Sequence, residues 1–180
     1  CDVMSDLELL PLNHPMMKVP PNKFDFELED AKELAELIWN KQKELGGVGL
    51  SANQVGRNAR MFTMGVDKGP DYNYKRVLFN PELTAYSDET ETMEEGCLSA
   101  PGITLMVRRP IQCTMSYQNE DGDVILEQFE GLWARVALHE YDHMIGQNFT
   151  QRVSKIKLDR AIKKAKKFHK KIKRAIENNK

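Results

Sequence analysis

The sequence predicts an α+β domain: small antiparallel sheets around a buried central helix, followed by a C-terminal helix. Three observations carry this. Short apolar segments with strand-like alternation dominate the first 130 residues, with little βαβ alternation between them. The stretch Leu132 to Ile145 is apolar on most sides, the mark of a buried helix rather than a surface one. The last stretch, Lys155 to Glu177, is long, basic and amphipathic. With 180 residues and 41% apolar composition, the chain suits one globular domain with a single core. The expected division is a main body over 1–150 and a basic helix over 151–180 belonging to the same domain.

Taken in order, the first helix is expected over Asp30 to Leu45. Ala31, Leu34, Leu37, Ile38 and Leu45 recur at helical spacing, and Gly46 follows as a stop. Gly47 to Gly56 reads as loop or short strand. Arg60 to Val66 and Arg76 to Tyr86 read as strands, separated by the turn-rich Asp67-Lys68-Gly69-Pro70-Asp71. Ile103 to Val107 is a further strand. Ile111 to Gln118 and Val124 to Glu130 form a hairpin around Asn119-Glu120-Asp121-Gly122, with Asp-Gly supplying the turn. Gly131 ends it. The buried helix closes at Gly146, and no internal repeat interrupts the series.

No apolar run approaches the roughly 20 residues needed to cross a bilayer. The start, Cys1-Asp2-Val3-Met4, lacks a basic stretch leading into an apolar one, so no secretory signal is expected and residues are expected to have been trimmed before Cys1. Three scattered cysteines do not make a disulfide framework; a reducing compartment, cytoplasmic or organellar, is expected. Cys113, in an alternating strand, reads as a small core residue. Charge is uneven. Residues 151–180 carry thirteen Lys and Arg against Asp159 and Glu177, a net of +11, and the remainder carries 13 basic against 25 acidic residues, a net of −12. Such a basic appendage suits a polyanionic partner, with a solvated helix face as the plain alternative.

The chemistry concentrates in His139-Glu140-Tyr141-Asp142-His143, an HExxH pattern within the buried helix. Residues four apart share a face, so both imidazoles can reach one ion. Glu140 emerges about 100° further round, free to serve as a base rather than a ligand. A pair of core histidines is the alternative. A catalytic ion needs a third ligand and an open position. Downstream of His143 the only acidic residues and histidine are Asp159, Glu177 and His169, all in the basic helix, so the third ligand is expected upstream. Cys97, in Glu94-Glu95-Gly96-Cys97-Leu98-Ser99, is the candidate, in a segment expected to interrupt the strands. Gly46-Gly47-Val48-Gly49, with three glycines in four residues, permits close backbone approach to a ligand but lacks the Lys-Ser/Thr ending of a phosphate-binding loop.

Together these segments resemble the three signature motifs of peptide deformylases, written GxGLAAxQ, EGCLS and HExDH. Gly47 to Gln54 matches the first with Ser51 in place of an alanine; Glu95 to Ser99 and His139 to His143 match the others fully. The resemblance runs from about Leu9 to the C-terminus. Departures are Leu138 for a common glutamine, Met144 for a common leucine, and Arg135 where bacterial relatives often carry an aliphatic residue.

The resemblance implies a metal-dependent hydrolase that removes the N-formyl group from the methionine of new peptides and releases formate. It implies Cys97, His139 and His143 as ligands, Glu140 as proton shuttle, and Gln54 with the Leu98 amide as oxyanion donors. Fe²⁺ is the implied ion, with Ni²⁺, Co²⁺ or Zn²⁺ able to substitute; ligand type alone suits zinc equally well. The peptide is implied to pair with Val48-Gly49, and Val48, Met93, Leu132 and Val136 to form the methionine pocket, each with ordinary core as the alternative. Arg135 is expected at that pocket's rim, altering side-chain preference, or else snorkelling to water or pairing with an acidic neighbour. Some bacterial deformylases dock on the ribosome through a C-terminal helix, so the basic tail is expected to bind ribosomal RNA; no membrane or DNA partner is expected. The rivals are a metallopeptidase cutting internal peptide bonds and a non-catalytic RNA-binding protein on the same scaffold.

Overall fold

The structure, a computed structural model, describes residues 7–179; the expectations about Cys1 lie outside them. Helix α1 spans Ala31–Glu44. Its N-terminus is capped by Asp30, whose side chain accepts the Glu33 N–H at 3.1 Å, and Gly46 leaves the helix at φ +72°. Seven strands follow: β1 (Gly49–Ser51), β2 (Met61–Asp67), β3 (Asn73–Tyr86), β4 (Thr90–Cys97), β5 (Ala100–Pro110), β6 (Gln112–Gln118) and β7 (Val124–Glu130). Helices α2 (Gly131–Met144) and α3 (Lys155–Asn178) complete the chain.

Five strands form one antiparallel sheet in the order β1-β2-β3-β6-β7, and β4 and β5 form a separate antiparallel hairpin. The five-stranded sheet is covered on both faces. Met61, Val77 and Phe79 pack with Leu34, Ala35 and Ile38 of α1. Phe62, Met64 and Leu78 point the other way, into a cluster with Ala134, Ala137 and Leu138 of α2. This two-sided burial is why Met61 to Gly65 is buried at every position rather than at alternate ones. Cys113, Met115 and Tyr117 alternate inward on β6, which puts Cys113 in the core. Helix α2 thus lies against the sheet and also touches β5, ringed by protein on nearly all sides.

Two expectations need correction. The segment Glu94–Cys97 does not interrupt the strands; it is the end of β4, paired to β5. Its run Thr90-Glu91-Thr92-Met93-Glu94 is largely exposed and its one buried residue, Glu95, is charged, so hydrophobic alternation gave no signal. The second concerns α3, expected as a long amphipathic helix of the same domain, which does not pack on the body along its whole length. Only its first half does: Leu158 and Ala161 pack on a cluster with Ile103, Leu105 and Val153. Ile156, Phe168, Ile172 and Ile176 are exposed. A helix of 24 residues is about 36 Å long, and the β4–β5 hairpin supports only its beginning.

Candidate metal centre and the cavity beside it

Three elements converge on the centre. The end of β4 supplies Cys97, and consecutive turns of α2 supply His139 and His143. One ligand atom from each of the three lies within 4.8 Å of the others, and Cys97 Sγ is 3.8 Å from His143 Nε2. The 3₁₀ turn Ala52–Val55 brings Gln54 alongside. Its Oε1 accepts from the Ser51 N–H (3.0 Å) and Oγ (3.1 Å), which turns its NH₂ toward Ser99 Oγ (3.0 Å) and Cys97 Sγ (3.6 Å). The neighbouring Asn53 donates to the His143 carbonyl (3.1 Å) and Arg60 to that of Met144 (2.7 Å), satisfying the end of α2. Gln42 of α1 ties the glycine loop to the sheet, donating to Gly47 O (3.3 Å) and Gly65 O (3.0 Å) and accepting from Thr63 (2.7 Å).

Behind the ligands runs a buried chain of charges. Glu95 accepts His139 Nδ1–H at 2.9 Å, which leaves Nε2 of that ring to face the cluster. Its carboxylate is gripped by Arg109 through Nε (2.6 Å) and Nη2 (3.0 Å) and by Arg135 Nη1 (2.6 Å). Arg109 also donates to Asp142 (3.1 Å), which Arg152 clamps from the solvent side. Burial alone would raise the Glu95 carboxyl, but its hydrogen bonds from His139 and Arg109 hold it down at about 2, so it stays ionised. Burial disfavours the His139 imidazolium, yet hydrogen bonds to Cys97 and Glu95 push its pKa up to about 10, while burial next to cationic His139 and Arg109 pushes His143 down to about 3.

Glu140 is 3% exposed and its Oε2 has no partner among the described residues. Burial dominates its titration, pushing the carboxyl up to about 7 against the opposing pull of His139 and Arg109. It fits there only because residue 49 is glycine: a Cβ at Gly49 would sit 2.9 Å from Glu140 Oε1 and 3.1 Å from Val136 Cγ1. A Cβ at Gly47 would likewise meet Leu98 Cδ1 at 2.7 Å.

A cavity of about 470 Å³ opens beside the centre, bounded by the glycine loop, the tip of the β4–β5 hairpin and α2. Val48, Gly49, Gln54, Cys97, Leu98, Leu132, Arg135, Val136, His139 and Glu140 all line it, and His143 lies buried at the centre. Met93 is not among the residues lining this cavity and is 37% exposed on β4. Arg135 lines the cavity, and its guanidinium is paired with an acidic neighbour, Glu95. Reasoning from sequence gave no role to Glu95, Arg109, Asp142, Arg152 or Ser99. A signal for Arg109 existed: it continues the period-two series Leu105, Val107, Arg109, all three buried on β5.

The Cys97 sulfur and two imidazoles, beside a buried glutamate whose Oε2 has no partner among the described residues and next to a substrate-sized cavity, make an HExxH-type site on a mixed antiparallel α+β scaffold. The chain belongs to the polypeptide deformylase family, whose model matches residues 7–159. A peptide deformylase from a Bradyrhizobium species is 36% identical over 179 residues, covering 97% of this chain and 96% of the relative. One from Thermotoga maritima is 39% identical over 77% of this chain and 79% of its own. Among solved structures, a plant peptide deformylase superposes with a TM-score of 0.82 at 30% identity, covering 94% of this chain and 92% of the other. A peptide deformylase from Acinetobacter baumannii with Met-Ala-Ser bound gives 0.75 at 27% identity, covering 82% and 98%. The chain is accordingly an enzyme of the deformylase family, and no helix among the described residues is long and apolar enough to cross a membrane.

Proposed function

We propose that this chain is a metal-dependent hydrolase that removes the formyl group from N-formylmethionyl peptides during their synthesis, wherever translation begins with formylmethionine, in the cytoplasm or an organelle. The observation that carries the reading is the convergence of Cys97, His139 and His143 beside Glu140, whose Oε2 has no partner among the described residues. The donor set fits a divalent ion: one soft sulfur and two imidazole nitrogens, with His139 oriented by Glu95 as metal-binding histidines usually are. When bound, such an ion supplies Lewis acidity to water and to the formyl carbonyl. Fe²⁺ is the ion proposed, and Ni²⁺, Co²⁺ or Zn²⁺ would suit the same donors.

The chain's own residues supply the rest. Glu140, poised near neutrality, takes the proton of the attacking water and passes it to the leaving amine. Gln54 Nε2, held by Ser51, and the Leu98 N–H at the hairpin tip donate to the developing oxyanion. Strand β1 is an edge of the five-stranded sheet, so an extended peptide can add beside Val48-Gly49 and lay its first side chain along Val136, Arg135 and Leu132. Formate release from formyl-Met-Ala-Ser by anaerobically purified, metal-analysed protein tests this. Hydrolysis of internal bonds in an acetylated peptide, with no formate released, would favour the metallopeptidase.

We place 1–150 and 151–180 in one catalytic domain, because the start of α3 packs on β5 and Arg152 holds Asp142. The exposed half of α3, with Lys163, Lys164, Lys166, Lys167, Lys170, Lys171, Lys173 and Arg174, is proposed to dock on ribosomal RNA. A truncation at Gln151 would also remove the Arg152 clamp; ending the chain at Ala165 keeps that clamp and removes the helix from Lys166 on, with six of these eight cations. Ribosome co-sedimentation at low salt should be lost in that variant, and equal co-sedimentation would remove the role.

A further inference from the structure

The cavity is apolar at Val48, Leu98, Leu132 and Val136, but its wall also holds a guanidinium. His139, Val136, Arg135 and Leu132 share one side of α2, so the cavity follows the helix from the ligand cluster toward its N-terminus. Arg135 stands about one helical turn, about 5 to 6 Å, from His139. An unbranched side chain that starts beside the cluster ends near that level.

The guanidinium is rigidly held but not used up. Nη1 donates to Glu95 Oε2 (2.6 Å) and Val107 O (2.9 Å), and Nη2 to Glu91 O (2.6 Å). An arginine has five N–H donors. Among the described residues no acceptor meets Nε–H, Nε is not among the sealed polar atoms that lack partners, and Arg135 itself lines the cavity. A wall with one anchored donor among aliphatic groups discriminates by what the end of the bound side chain can accept. The thioether of methionine is a weak acceptor, whereas the oxygen of methionine sulfoxide is a strong one. In an aliphatic wall that oxygen would give up its water partners without replacement.

We propose that Arg135 is a specificity-determining residue that lets the site take N-formyl peptides whose methionine is oxidised to the sulfoxide. This deepens the deformylase reading and rests on it for the direction in which the side chain lies. The reaction on the sulfoxide is the same formamide hydrolysis, and sulfur keeps its oxidation state throughout.

The test compares formate release from formyl-Met-Ala-Ser, its sulfoxide and its norleucine analogue by the metal-loaded wild-type and Arg135→Met proteins. In the wild-type the sulfoxide is expected within about fivefold of the thioether, and in Arg135→Met the sulfoxide-to-norleucine ratio is expected to fall roughly 10- to 100-fold. Equal ratios in the two proteins overturn the proposal. Calorimetry on the wild-type with the unformylated products, Met-Ala-Ser and its sulfoxide, needs neither turnover nor a folded variant. Sulfoxide binding weaker by more than about fivefold overturns the proposal, and binding within about fivefold supports it. If the wild-type releases formate from none of the peptides, the deformylase reading fails, while the binding comparison still decides whether the site takes the sulfoxide, and its repetition with Arg135→Met decides the role of Arg135.

Discussion

The two helices that follow the sheet hold their charges in opposite ways. Over fourteen residues α2 buries Arg135, His139, Glu140, Asp142 and His143, and all but Glu140 and His143 are tied to charged partners on β4, β5 or the turn after α2. Over 24 residues α3 buries nothing and carries eleven Lys and Arg against Asp159 and Glu177. A charge withdrawn from water must be paired or it destabilises the fold, so the charges of α2 fix geometry. Those of α3 remain hydrated and act only as a field reaching beyond the surface, which salt screens. Catalysis is expected to depend on single side chains in α2 and on no single side chain in the exposed half of α3.

The largest effect expected from that contrast is at the ligands. Cys97→Ala or His139→Ala should leave protein that retains no stoichiometric metal and releases formate only at background; full metal retention by Cys97→Ala would remove Cys97 from the set. Gln54→Ala comes next. It should keep the ion but lose about 100- to 1,000-fold in kcat if its amide is an oxyanion donor, and unchanged kcat would assign it to structure alone.

One shell further out, Arg109→Met leaves Glu95 without its two-pronged arginine partner and removes one of the two cations held by Asp142. Metal affinity should weaken by roughly 10- to 100-fold, measurable as faster loss to a chelator. The sign of the pH effect follows from Glu95. Its folded pKa of about 2 lies below the ordinary 4.5, so the stability it contributes is complete above 4.5 and is lost as pH falls from there toward 2. Arg109→Met should flatten that acid limb of the thermal-unfolding profile. Glu140 has the opposite shift. Raised to about 7, it acts as a base only above that pH, so log kcat/KM should climb with pH up to about 7 and then level. The smallest effect on chemistry belongs to α3. Ending the chain at Ala165 should leave turnover and thermal stability nearly unchanged, and a large loss of either would show that the exposed half supports the fold.

The same contrast explains what could be read from the sequence. Elements built on period, such as α1, the β6–β7 hairpin and α2, were legible because their apolar residues alternate or recur against one core. So were Cys97, His139 and Glu140, since metal chemistry restricts residue type and spacing. β4 was not legible, because its inward residue is a carboxylate whose partners lie 14, 40 and 44 positions away. Arg135 was visible as an oddity among apolar neighbours, but its partners Glu95, Val107 and Glu91 are set by the β4–β5 register. For α3 the sequence showed an apolar stripe without showing how far the body extends beneath it.

Glu140 tests the account most directly, because it alone of the buried charged groups in α2 has a carboxylate oxygen with no partner among the described residues. Metal content and formate release should be measured together on anaerobically purified wild-type and Glu140→Gln proteins. The variant should hold as much metal as the wild-type and turn over formyl-Met-Ala-Ser at least about 100-fold more slowly. Near-normal turnover with the ion in place would contradict the proton shuttle and with it the proposed mechanism.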